Sequence, residues 1–232
     1  MTVLLITGTG TGVGKTAVTA AVAALARDRG ASVAVVKPAQ TGLRPGEAGD
    51  LAEIGRLSGV ADLHEFARYP DPLSPEAAAR ARGLPALRVD DVARRVDQLA
   101  AGRDLVLVEG AGGLLVRFAE DGWTLADLAR LLRAPLLVVA VPGLGTLNVT
   151  ALTLEVLAGR GLRHAGVAIG CWPASPGLVE RSNVGDLERL AGQPLAGALA
   201  AGAPAQPDFL GLARHGLGPA LGGRFDAADF RR

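Results

Sequence analysis

Lysine is nearly missing from this chain. Its 24 basic residues include only Lys15 and Lys37, against 22 arginines. Where arginine serves every ordinary solvated cation, a retained lysine marks a place that needs a compact ammonium rather than a planar fork. Cysteine is scarcer still. Cys171 stands alone, which excludes an internal disulfide and a cysteine-held metal cluster, and a lone cysteine after an apolar strand reads as a small buried hydrophobe. Aromatics make up 3% of the chain and no basic block exists, so a nucleic-acid surface is not expected. No stretch reaches about eighteen uninterrupted apolar residues, so no membrane span is expected. The N-terminus carries no charged leader before an apolar core and cleavage site, and the cytoplasm is the expected compartment. What remains is a near-neutral chain of 232 residues, 49% hydrophobic, long enough for a sizeable core.

The stretch GTGTGVGKT, Gly8 to Thr16, follows the apolar β-branched run Val3 to Ile6 and opens an alanine-rich segment, Ala17 to Arg29, suited to a helix. Strand, glycine-rich loop and helix in that order are the context of a phosphate-binding loop. Glycines let backbone N–H groups turn in on phosphate oxygens, the helix N-terminus adds positive potential, and Lys15 adds a full charge. Gly10, Thr11, Gly12, Val13, Gly14, Lys15, Thr16 and Ala17 are the candidate nucleotide-binding residues, and Thr16 can place its hydroxyl on Mg²⁺. Five residues separate Gly8 from Gly14, one more than the common spacing, which puts Thr9 in the first-glycine place.

Further along, SVAVV (32–36) reads as a strand stopped by Lys37-Pro38, and residues 39–49 as a loop. Asp50 takes the N-cap place of a helix with Leu51, Ile54 and Leu57 on one face, closed by Gly59. His64 to Pro75 reads as loop, and helices follow from Pro75 to Gly83 and over 89–101. DLVLVE (104–109) is a buried strand ending on a carboxylate, the expected partner of a phosphate loop because Glu109 can hold Mg²⁺ or its water. A helix over 124–132, a strand over 136–141, a helix over 147–158, a strand over 165–169, a helix over 176–190 and a short strand over 195–199 complete the pattern. His164 falls in a surface turn, and the part beyond about residue 200 reads as irregular. Short, continuously apolar strands alternating with helices indicate one domain over residues 1–232, an α/β fold of the P-loop NTPase-like kind, with a mostly parallel sheet and helices on both faces. Lys15, Lys37, Asp50, Glu109 and the Gly143–Asn148 loop all follow strands, on the edge where such sheets bind ligands.

These motifs together carry a family resemblance. GTGTGVGKT at 8–16, KPAQTG at 37–42, Asp50 opening its helix, VEGAGG at 108–113 and LGTLN at 144–148, in this order and spacing, resemble the dethiobiotin synthetases, and the five-residue gap is that family's own variant. The resemblance implies that ATP with Mg²⁺, CO₂ (or bicarbonate) and 7,8-diaminononanoate give dethiobiotin, ADP and phosphate through a phosphorylated carbamate. It implies catalytic roles for Lys37, Lys15 and Thr41. Lys15 would hold the β/γ-phosphates and Lys37 would bridge carbamate and γ-phosphate. Thr16, Asp50 and Glu109 would organise Mg²⁺. Thr41, with Lys37 and the backbone of Gly110, Ala111, Gly112 and Gly113, would hold diamine and carbamate. Gly145, Thr146, Leu147 and Asn148 would meet the substrate carboxylate from the other subunit of a homodimer.

Two departures stand out. Many family members have an acidic residue where this chain has Gly12. The asparagine that often reads the purine is absent, with Gly170-Cys171-Trp172-Pro173 in its place. Backbone at Gly170, Trp172 and Pro173, or in the 197–204 loop, is the expected substitute. Two other classes stay open: an ATP-driven switch or partitioning protein of the same fold, which usually carries an extra lysine early in the phosphate loop, and a related ATP-dependent amidase or carboxylase of another substrate. A GTPase is not expected, because lysines only at 15 and 37 allow no Asn-Lys-x-Asp base-reading motif.

Overall fold

The computed structural model describes residues 3–231. Seven strands form one sheet with every pairing parallel: β1 (Val3–Gly8), β2 (Val33–Thr41), β3 (Leu63–Tyr69), β4 (Leu105–Gly113), β5 (Leu136–Ala140), β6 (His164–Trp172) and β7 (Gly197–Ala200). Their order across the sheet is β3-β2-β4-β1-β5-β6-β7. The inner strands are continuously apolar because helices cover both faces. On one face lie α1 (Lys15–Asp28), α2 (Asp50–Ser58) and α8 (Phe209–Gly216), packing Val18, Leu25, Ile54 and Ala213 on Leu4, Ile6 and Leu107. The other face carries α3 (Pro75–Arg82), α4 (Val89–Ala100), α5 (Leu125–Leu132), α6 (Thr146–Gly159) and α7 (Leu178–Ala191), with the short α9 (Ala227–Phe230). Each fully buried leucine or isoleucine in these layers contributes about 1.5–3 kcal/mol. No helix among the described residues is long and apolar enough to cross a membrane.

Several expectations are corrected. Pro38 does not stop β2, which runs on to Thr41. Pairing with β4 ends at Val36, and beyond it β2 pairs with β3 alone, where a missing N–H is tolerated as on an edge strand. Residues 64–69, read as loop, belong to that edge strand, β3. Its charges Glu65 and Arg68 pair with each other at 2.6 Å, which breaks the apolar pattern by which strands are recognised and guards an exposed edge. Asp50 is the first residue of α2, with Gly49 as N-cap. His164 begins β6 and is half-buried rather than in a surface turn, and burial lowers its pKa.

The C-terminal part is not irregular. A 3-10 turn (Ala203–Ala205), α8, a second 3-10 turn (Pro219–Leu221) and α9 follow β7. Asp208 caps α8 by accepting from the Gly211 N–H at 2.9 Å. Phe230 of α9 sits edge-on to Trp172 with ring centroids 4.8 Å apart.

Candidate nucleotide and carboxylation site

Glycine geometry shapes the phosphate loop. A methyl on Gly8 would come within 2.7 Å of the Val13 side chain and 3.1 Å of Lys15 Nζ, so Gly8, not Thr9, is the point of close approach. Thr9 instead donates its N–H to the Val139 carbonyl at 2.9 Å. Gly14, the N-cap of α1, is left-handed at φ 96°, and a methyl there would lie 2.5 Å from the Gly170 carbonyl oxygen. The helix has no side-chain cap and no acidic residue in its first turn, which leaves its N–H groups and positive end for an anion. Lys15 folds back and donates to the Gly10 carbonyl at 2.8 Å. Burial of the Lys15 ammonium, then the charge of Lys37, lower its pKa to about 8 against the partial pull of Glu109 and Asp50.

Beside the loop, β2 and β4 diverge after Val36, and Lys37 and Glu109 stand where they part. Lys37 Nζ donates to Asp50 Oδ2 at 2.6 Å, Glu109 Oε1 at 2.8 Å and the Gly110 carbonyl at 3.2 Å. Lys37 is 4% exposed and Glu109 0%. Burial works to lower the Lys37 pKa, but the charges and hydrogen bonds of Glu109 and Asp50 outweigh it and hold the ammonium above its ordinary value. Thr16 Oγ1 donates to the same Glu109 oxygen at 3.0 Å, while buried Glu109 Oε2 has no hydrogen-bond partner. An orphaned carboxylate oxygen beside a hydroxyl and a second carboxylate is a hard-oxygen set suited to Mg²⁺, which takes one or two carboxylates and completes its shell with water and phosphate. No group of three or more His, Cys, Asp or Glu among the described residues offers an all-protein cage.

The VEGAGG segment supplies the third wall. Ile6 pairs with Glu109, but Gly8 pairs with Gly113, so Gly110, Ala111 and Gly112 bulge out of the ladder and free their backbone groups. The positive φ of 62° at Gly112 completes the bend.

A cleft of about 760 Å³ gathers Thr11, Gly12, Gly14, Lys15, Thr16, Ala17, Lys37, Thr41, Asp50, Glu109, Ala111 and Gly112. Gly10 and Val13 serve the loop's shape, Gly110 accepts from Lys37, and Gly113 backs onto β1. Gly170 does not line the cleft. It presses on the Val13 and Gly14 backbone from behind. An irregularity in β6–β7 pairing between Ile169 and Trp172 accompanies the packing of Trp172 against Phe230, and neither Trp172 nor Pro173 lines the cleft. Gly145, Thr146, Leu147 and Asn148 lie outside it too, with Gly145 and Asn148 exposed.

Sequence reasoning missed other lining residues, Gln40, Glu53, Val116 and the 72–75 turn, while Pro204 falls at the end of the 197–204 loop that was expected beside the nucleotide. Gln40 Oε1 accepts from the Asp50 N–H at 3.0 Å and so aims the start of α2. Its place inside KPAQTG was the available signal.

Comparison with known proteins now bears on this geometry. A family model described as an AAA domain matches residues 2–204. The ATP-dependent dethiobiotin synthetase BioD of Parafrankia sp. is 63% identical over all of this chain and 98% of that protein. The protein of the same name from Frankia casuarinae is 62% identical, again over all of this chain and 98% of its own length. Among solved structures, the septum site-determining protein MinD from Pyrococcus horikoshii, complexed with Mg-ADP, has a TM-score of 0.58 at 16% identity, covering 92% of this chain and 94% of that one. That likeness is one of fold alone. It makes the sheet and loop a P-loop NTPase fold, while full-length identity above 60% carries the narrower assignment: the chain belongs to the ATP-dependent dethiobiotin synthetase family.

Proposed function

We propose that this chain, as one P-loop α/β domain within a homodimer, joins CO₂ to 7,8-diaminononanoate at the expense of ATP and closes the ureido ring of dethiobiotin. The observation that carries the reading is the buried Lys37 ammonium, held between Glu109 and Asp50 in the same cleft as the phosphate loop. The relatives' name supplies the substrate and product class.

The chemistry asks for charge control rather than a covalent nucleophile. One amine of the substrate attacks CO₂ and loses a proton, giving a carbamate anion. A carbamate oxygen then attacks the γ-phosphorus and ADP leaves. The second amine attacks the carbonyl of the mixed anhydride, expels phosphate and loses its proton as the ring closes. Bringing carbamate to triphosphate sets anion against anion, and phosphoryl transfer depends on positioning and electrostatics. Lys37, kept charged by its surroundings, bridges the two. Lys15 leaves the Gly10 carbonyl for the β/γ-phosphates. Thr41 and the backbone from Gly110 to Gly113, bulged over Gly110 to Gly112, hold the diamine and carbamate, and the half-exposed Leu73 with Val116 offers the methylene chain an apolar wall. Thr16, Asp50 and Glu109 would hold Mg²⁺, whose chemistry when bound is to neutralise the phosphate oxygens.

The homodimer is supported by α6. The side of Thr146, Thr150, Leu154 and Leu157 is buried, while the outer side exposes Leu152 at 55% between the polar Asn148 and Glu155, the mix of apolar centre and polar rim that an interface shows. Leu144 before it and Leu178 at the start of α7 are 86% and 80% exposed. A second copy covering this face would bring the partner subunit's Asn148 and its helix N-terminus to the substrate carboxylate.

Phosphate release with ATP, Mg²⁺ and bicarbonate, measured with and without 7,8-diaminononanoate, tests the reading. Release that requires the diamine and gives dethiobiotin by mass is expected. Release indifferent to the diamine would point instead to a switch ATPase or another substrate.

A further inference from the structure

Arg56, in the last turn of α2, donates three hydrogen bonds to two groups. Its Nε and Nη2 donate to the two carboxylate oxygens of Glu53 at 2.8 and 2.6 Å, and Nη2 also donates to the Pro204 carbonyl at 2.8 Å. Glu53 and Pro204 both line the cleft, one from the helix that begins with Asp50 and the other from the 3-10 turn after β7. The guanidinium therefore spans the rim between two walls that are 148 residues apart in sequence. The root of the loop is fastened by the Ala201 N–H to the Trp172 carbonyl at 2.7 Å, and its turn is closed by the Ala205 N–H to the Gly202 carbonyl at 3.0 Å. Arg56 ties the tip of that turn to α2.

The remaining space in the cleft says what this tie encloses. The phosphate loop and Lys15 take the phosphates, while Lys37 and the Gly110–Gly112 bulge take the reacting end. The rim between α2 and Pro204 is left for the nucleoside. Arg56 also holds the Glu53 carboxylate in a two-point pair, so that a wall of an anion-binding cleft carries no free negative charge. We propose that Arg56, oriented by Glu53, is a positioning residue for the nucleotide, clasping the Pro204 turn to α2 and closing the cleft around the nucleoside. The clasp rests on the reading that ATP occupies this cleft. The two side chains are 57% and 40% exposed, so the pair itself contributes little to folding.

Equilibrium binding of ADP and of inorganic tripolyphosphate to the intact protein tests the clasp, because tripolyphosphate has no nucleoside to enclose. Arg56→Ala removes all three donations. Arg56→Lys keeps the charge but cannot fork onto Glu53 and reach Pro204 at once, and it serves also if the alanine variant fails to fold. Both variants are expected to bind ADP about tenfold more weakly, the worth of one charge-assisted hydrogen bond, with tripolyphosphate affinity held within about twofold. Equal weakening of both ligands would make Arg56 merely structural and overturn the proposal. So would an Arg56→Lys protein that binds ADP as the parent does. A parent that binds neither ligand overturns the ATP reading and the clasp with it, whereas loss of nucleoside selectivity at Arg56 stands whether or not the product is dethiobiotin.

Discussion

Two lysines that feel the same carboxylates are driven in opposite directions, Lys15 down by burial and the charge of Lys37, Lys37 up by Glu109 and Asp50 in direct contact. Lys15 rests on a carbonyl, with pKa about 8, and Lys37 rests on two carboxylates, with its pKa raised. Phosphate oxygens arriving at Lys15 favour its charged form, so its pKa is higher in the complex than in the free protein. Binding is then at full strength below about pH 8 and weakens as pH rises through and above that value. ADP titrations between pH 6.5 and 9.5 are expected to be flat at first and weaken beyond 8, with proton uptake near pH 8 seen as a buffer-dependent heat. Affinity that stays constant to pH 9.5 would contradict this account of Lys15. Lys37→Ala is expected to abolish ring closure while ADP still binds, if Lys37 acts on the transferring group as proposed. It also leaves Glu109 and Asp50 without their shared cation, at a cost of about 3–5 kcal/mol when one partner of a buried pair is removed. Denaturant titration should find that loss reduced in Lys37→Ala with Glu109→Gln. Unchanged turnover in Lys37→Ala would remove it from the mechanism. Both lysines were legible in the sequence for a compositional reason: in an arginine-biased chain each survives where a fork will not do.

At the level of elements, the phosphate loop is held in shape from behind by β6. Gly170 does not have a positive φ, so alanine fits its backbone conformation and the effect of Gly170→Ala is purely steric. The added methyl would run into the Val13 carbonyl and approach the Val139 side chain to 2.8 Å. Overpacking of this kind costs about 1–3 kcal/mol, and here the yielding part is the loop that carries Gly10 to Gly14. A lowered melting point with weakened ADP binding is expected, against no change for Gly102→Ala, where the methyl meets open space. Equal behaviour of the two variants would refute the wedge. The sequence put Gly170 after a strand over 165–169 and gave it a base-reading role, whereas it lies within β6, and nothing local shows that β6 passes behind the loop. The same limit hid β3, whose charged Glu65 and Arg68 interrupt an apolar period. It also hid α8, whose eight residues stand among prolines and glycines. Contiguous motifs such as KPAQTG and VEGAGG were legible because their function depends on local backbone geometry. The Arg56 tie from Glu53 to Pro204 depends on a crossing of distant segments and was not.

For the whole molecule, a chain with Lys37 and the phosphate loop in its cleft and Gly145 to Asn148 outside it requires a partner if the α6 N-terminus is to meet substrate. Asn148 is exposed in the first turn of α6, so Asn148→Asp adds a charge that a helix N-terminus tolerates and that repels a carboxylate ligand. Lys37→Ala and Asn148→Asp proteins should each be inactive alone. In a shared site, Lys37 comes from one chain and Asn148 from the other, so a mixed dimer has one site with both defects and one with neither. Random exchange makes half the dimers mixed, and about a quarter of the parent activity should return. Were each site built within a single chain, every site in a mixed dimer would carry one defect and nothing would return. Sedimentation of the mixture separates the remaining cases. A dimer without recovery places the α6 N-terminus away from the reaction, and a monomer means that Leu144, Leu178 and the outer face of α6 are covered by something other than a second copy.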